Sequence, residues 1–278
     1  MKKTILLIIL ALVSMIAQAQ ILETVSMQQI ASPKGEQGKV VGISPKGDYL
    51  LVTDANDQGI QCIDLVTKEV TTICDAEGAG WDVKISPNGK TITYRSIRYE
   101  GLINKQDILQ YNFEDKKVSM MAKSQSGTEF LVDGTANATV SVNEDLQLVL
   151  NRNGKRVVLA PNGNDQAYNW PSISPDGSKI LYYVSGRGCF VCDLKGENVR
   201  KVANHCRAPK WYDNNTIVGM ADEDDGKFLT ASAIVVYTLD GKNQILVAKD
   251  MMAIYPHVAE GKVAFSTAGG EMYLMEVK

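Results

Sequence analysis

Ile173-Ser174-Pro175-Asp176-Gly177-Ser178-Lys179-Ile180-Leu181-Tyr182 is the stretch from which the chain can be read, because the same phrase occurs twice more. Ile43-Ser44-Pro45-Lys46-Gly47-Asp48-Tyr49-Leu50-Leu51-Val52 and Ile85-Ser86-Pro87-Asn88-Gly89-Lys90-Thr91-Ile92-Thr93-Tyr94 repeat it. Each reads as strand, turn, strand. Proline presets φ at the second turn position, Lys, Asn or Asp takes the third, and glycine accepts the left-handed conformation that closes the hairpin.

The three serines stand 42 and 88 residues apart. The longer gap is two periods, so a repeat with a degraded signature is expected between Ser86 and Ser174. Leu146 to Asn151 and Arg156 to Leu159, on either side of an Asn153-Gly154 turn, are taken as its opening hairpin. Pro209 to Val218 and Pro256 to Phe265 read as weaker fifth and sixth copies, for a period of about 43 residues, the length of a propeller blade. Apolar strand pairs follow the opening hairpins: Gly59 to Leu65 with Glu69 to Cys74, Cys189 to Leu194 with Val199 to Val202, and Ala233 to Leu239 with Gln244 to Val247. The expectation is an all-β chain forming a six-bladed β-propeller of four-stranded antiparallel blades.

Lys2 and Lys3, the apolar run Ile5 to Ile16, and Ala17-Gln18-Ala19 read as a cleaved export signal over residues 1–19, with one propeller domain over 20–278. The run is too short for a spanning helix, which needs about 20 apolar residues, so no membrane insertion is expected after cleavage. The last repeat offers three strands, ending in Met272 to Val277, while Ile21 to Ile30 is a spare strand at the start. A ring closed by that N-terminal strand in the last blade would leave no unpaired edge there.

The Ser174-Pro175-Asp176-Gly177 hairpin, followed by a strand ending in Asp193-Leu194-Lys195-Gly196, resembles the repeat of TolB-like propellers. The resemblance covers nearly all of the chain after the leader, and implies a scaffold in envelope complexes. It does not extend to the separate amino-terminal α/β domain of TolB. A periplasmic or secreted monomer with an envelope protein as partner is therefore expected, with carbohydrate or another small ligand as the alternative and a cryptic enzyme as the third reading.

Removal of Lys2 and Lys3 leaves 27 basic against 32 acidic residues, a balance that argues against nucleic acid as a partner. Five cysteines in an exported chain suggest disulfides, and near-symmetry about two turns proposes Cys62 with Cys74 and Cys189 with Cys206. His205 and His257 are the only histidines, too few for the histidine cluster of metal-dependent lyases that share this type of propeller. A Gly-x-Ser-x-Gly elbow and a phosphate loop are both missing from the sequence. The reading is of a protein that is not an enzyme and has no cofactor. The acidic run containing Asp222, Asp224 and Asp225, read as a loop, is a weak metal candidate whose spacing fails the calcium loop. Trp211 takes a core isoleucine position. Trp81, Tyr168, Trp170, Arg207, Lys210, Tyr255 and His257 fall in or beside the connections into the innermost strands, and form the candidate binding mouth.

Overall fold

The computed structural model describes residues 21–278 except 34, 36, 126–131 and 136; the expected leader lies outside the described residues. Six four-stranded antiparallel sheets form a ring, the expected six-bladed propeller. Blade I holds β2 (Gly38–Ile43), β3 (Tyr49–Asp54), β4 (Ile60–Asp64) and β5 (Val70–Cys74). Blade II holds β6 (Lys84–Ile85), β7 (Thr91–Glu100), β8 (Ile103–Asn112) and β9 (Lys117–Gln125). Blade III holds β10 (Asp133–Gly134), β11 (Ala138–Val142), β12 (Leu148–Arg152) and β13 (Lys155–Leu159). Blade IV holds β14 (Tyr168–Ile173), β15 (Lys179–Val184), β16 (Gly188–Asp193) and β17 (Arg200–Ala203). Blade V holds β18 (Arg207–Trp211), β19 (Thr216–Asp224), β20 (Leu229–Thr238) and β21 (Asn243–Val247). Blade VI holds β22 (Ala253–Ala259), β23 (Lys262–Thr267) and β24 (Met272–Val277), completed by β1 (Thr24–Ile30).

The repeated serine closes its hairpin chemically. Ser44 Oγ accepts from the backbone N–H of Asp48 and Tyr49 at 2.9 and 3.1 Å, and Ser174 Oγ accepts from those of Ser178 and Lys179 at 3.2 and 2.9 Å. The glycine N–H of each turn donates to the serine carbonyl at 2.8 Å, with φ of 66° at Gly47, 72° at Gly89 and 73° at Gly177. In blade V the Asp213 carboxylate does the same work, accepting from Asn215 and Thr216 at 2.7 Å.

One hairpin differs from expectation. The Asn153-Gly154 turn joins the two outer strands of blade III, not its opening pair, which is β10 and β11. Two adjacent residues at positive φ make a tight turn that suits any hairpin, so the signal located a hairpin without saying which one.

The core is divided into layers between neighbouring blades. Val40, Leu50, Val52 and Ile63 of blade I pack on Ala264, Met272 and Leu274 of blade VI. Leu148 and Leu150 of blade III pack on Tyr168, Ile180 and Tyr182 of blade IV, and Leu181 and Cys189 of blade IV meet Trp211 and Ile217 of blade V. Trp211 is thus core, as its place in the repeat implied. The ring closes as expected: β1 pairs antiparallel with β24, from Thr24 opposite Val277 to Ile30 opposite Met272. Leu22 enters the layer between blades V and VI, where Gln244 accepts from the Leu22 N–H at 3.1 Å and donates to its carbonyl at 2.7 Å.

All five cysteines are free thiols. Cys62 faces Thr71 and Cys74 faces Ile60 across the same strand pair, so the expected bridge is out of register: the turn sets Ile63 opposite Val70, and the bulge at Ile60 makes up only part of the offset. Cys189 and Cys206 do come together, as two wholly buried thiols in hydrogen-bond contact.

Candidate binding site at the channel mouth

The innermost strands β2, β6, β10, β14, β18 and β22 line the ring's axis. Their register places Gly42, Lys84, Asp133, Ser172, Lys210 and His257 at one level, opposite Leu51, Thr93, Val140, Leu181, Val218 and Ala264. Two residues before four of these stand Asp82, Trp170, Ala208 and Tyr255, each with φ between 46° and 58°. In β14, β18 and β22 these fall within a β-bulge. A bulge re-aims the strand, and a non-glycine residue held at such φ stores strain of about 1 kcal/mol or more. All four end on the wall of one cavity of about 400 Å³.

Every blade contributes to that cavity, through Lys39, Lys84, Ser141, Trp170, Lys210 and His257 among others. Trp81 and Tyr255 are 56% and 39% exposed at its rim. Trp170 leans on Tyr183, ring centroids 5.5 Å apart, and Arg207 lies 5.7 Å over the Trp170 ring while pairing with Asp222 at 2.5 Å. A neighbouring open groove of about 650 Å³ runs past Trp170, Tyr183, His205, Arg207 and Asp222.

The floor is charged. Lys84 pairs with Asp82 at 2.7 Å and Lys39 with Asp57 at 2.9 Å. Burial alone would lower the Lys84 ammonium, but Asp82 and Asp133 beside it leave its pKa raised. Burial raises the Asp133 carboxyl against the pull of Lys84 and Lys210. Burial and the Lys84 charge lower the Lys210 ammonium. Burial, with Lys210 and Lys84 nearby, pushes His257 down to about 3, so its ring is neutral at physiological pH.

Six of the seven residues read from sequence as a mouth are gathered here: Trp81, Trp170, Lys210, Tyr255 and His257 on the cavity, and Arg207 beside Trp170. Tyr168 is a correction. It is wholly buried, its hydroxyl donating to the Gly163 carbonyl at 2.9 Å and accepting from the Asn162 N–H at 2.8 Å, because the strand turns its ring between blades III and IV. Sequence reasoning missed Asp82, Asp133, Arg95 and Ser141. Lys84 carries no motif of its own and is marked only by holding the position in its blade that His257 holds in blade VI, and Asp133 was hidden by the displaced third hairpin.

The acidic run also differs from its reading as a loop. Asp222 and Asp224 lie in β19, and only the tip beyond them turns. The Asp224 and Asp225 carboxylates accept from the N–H groups of Gly226, Lys227 and Phe228, and Asp222 is held by Arg207. Among the described residues no three His, Cys, Asp or Glu side chains are grouped to hold a metal.

In fold the chain is similar to TolB. A protein assigned as TolB from Agrobacterium tumefaciens superposes with a TM-score of 0.61 at 15% identity, over 88% of this chain and 91% of that one. TolB from Acinetobacter baumannii gives 0.52 at 17% identity over 91% of this chain, which spans 61% of that longer protein. An oligogalacturonate lyase in complex with manganese gives 0.53 at 13% identity, over 85% and 76% of the two chains. No family model and no curated protein matches the sequence. Identities this low carry the fold and leave the role to the site.

Proposed function

We propose that the protein is an exported, non-catalytic binding propeller that holds a segment of an envelope protein at the mouth of its central channel. The observation that carries this is the recurrent strained position on the innermost strands. Strain repeated at equivalent places and turned toward one cavity is expected of a binding surface, since packing alone would relax it. Two of those positions bear Trp170 and Tyr255, and Trp81 sits alongside. Aromatic side chains concentrate binding energy and lose little entropy when held.

The test is capture of partners from envelope extract by wild type and by Trp170→Ala and Tyr255→Ala. Each replacement should weaken capture of the same partner by about 2 kcal/mol, roughly thirtyfold, with the melting temperature nearly unchanged. Lower melting temperatures with undiminished capture would mean that these rings are packing and that the mouth is not the interface.

A further inference from the structure

The floor of the cavity holds one more positive charge than its ion pairs use. On its lining Lys39, Lys84 and Lys210 stand against Asp57 and Asp82, while Arg95 and Asp133, outside the lining, add one charge of each sign. Lys39 and Lys84 have partners at 2.9 and 2.7 Å, whereas no described carboxylate lies within ion-pair distance of Lys210. Arg95 is 8% exposed and packs its guanidinium 5.8 Å over Trp81, with Nε and Nη2 unpartnered. Ser141, 2% exposed on the cavity wall, likewise has an Oγ with no partner. Buried donors without acceptors are costly, and a cluster of them around an open cavity matches an absent acceptor.

We propose that this floor is a subsite for a single carboxylate, bound by the Lys210 ammonium with the Ser141 hydroxyl as a second donor and Arg95 adding to the positive field. The inference rests on the reading of the mouth as the binding face and names what the bound group must carry. One surplus charge suits a monoanion. A phosphate dianion would meet Asp82 and Asp133, both within the electrostatic reach of Lys210. The aromatic rim above the floor suits a carboxylate attached to a ring or an apolar body. A free organic acid and an acidic residue on an inserted segment offer the same group.

Calorimetric titration of the full chain at neutral pH, with two matched pairs of probes, tests this. Phenylacetate against phenylacetamide represents a free acid, and N-acetyl-Phe-Glu-amide against N-acetyl-Phe-Gln-amide an acidic residue. At least one acid should bind about tenfold more tightly than its amide, or about 1.4 kcal/mol. Lys210→Met should bring that ratio below about twofold without lowering the melting temperature, since it removes an unpaired buried charge. Lys210→Gln, which keeps a polar end, serves if the methionine variant misfolds. Preference in the first pair alone identifies a free acid, and in the second alone a residue of a partner. No preference in either pair, or a preference that survives both replacements, overturns the subsite. The mouth reading fails separately, if Trp170→Ala and Tyr255→Ala leave partner capture unchanged whatever the acid-to-amide ratio.

Discussion

His257 shows how one side chain couples the channel to stability. Its ring lies among Lys84 and Lys210, and a proton on it would add a third buried positive charge. The unfolded chain takes that proton near the ordinary value of 6.5, the folded chain only near 3. Between those values the unfolded state binds more protons, so this group's contribution is full above 6.5 and is lost as pH falls toward 3. The slope is at most about 1.4 kcal/mol per pH unit. Between pH 6.5 and 5, where most carboxylates remain ionised, the wild-type melting temperature should fall, and His257→Gln should flatten that fall. An equal fall in both proteins would locate the acid sensitivity elsewhere. At this scale the sequence was only partly legible. The repeat put Lys84, Lys210 and His257 at one register, but their mutual repulsion exists only once the blades are in a ring.

Between elements, the approach of β19 to the segment before β18 is set by a missing side chain. A Cβ at Gly219 would stand 2.5 Å from the Cys206 sulfur. That sulfur is wholly buried against Cys189, whose thiol pKa is raised well above its ordinary value by burial and by the Cys206 thiol. Such thiols pack as small apolar groups and are poor nucleophiles. Gly219→Ala should cost about 1–3 kcal/mol in denaturant unfolding, the range for overpacking a filled core, and Cys206→Ala in the same chain should recover much of it. A neutral Gly219→Ala would mean that the strand does not approach the thiol so closely. The cysteine pairing illustrates the limit of turn symmetry. Counting outward from a turn brought Cys189 near Cys206, but failed for Cys62 and Cys74, where the turn centres its register on Ile63 opposite Val70 and so sets Cys62 opposite Thr71.

For the molecule as a whole, closure by β1 is the decisive contact. The side chains of this strand are mostly exposed, so its contribution comes from backbone pairing with β24, from buried Leu22 and from the Gln244 bonds. Deleting residues 21–30 removes these and uncovers the β24 edge. A loss of about 3 kcal/mol, or about 10 °C in melting temperature, is expected. Concentration-dependent aggregation should accompany it, because an unpaired edge recruits other strands. A truncated chain that melts as the full chain does would show that the other three strands of blade VI suffice.

The blades, their number, five of the six opening hairpins and the closing strand were determined by the sequence. Each is encoded within a few residues, by a serine and glycine that close a turn or by alternating apolar positions, and repetition multiplied a weak local signal. Only the tertiary structure decided what the channel contains. Lys84, Asp133, Lys210 and His257 lie on different blades, and the charge of each is governed by burial and by neighbours brought close when the ring closes. The same holds for Tyr168, whose place in the chain resembles that of Trp170 but whose ring turns inward. Two residues of strand twist and one bulge separate a core tyrosine from a tryptophan at the mouth, and no local pattern records that difference.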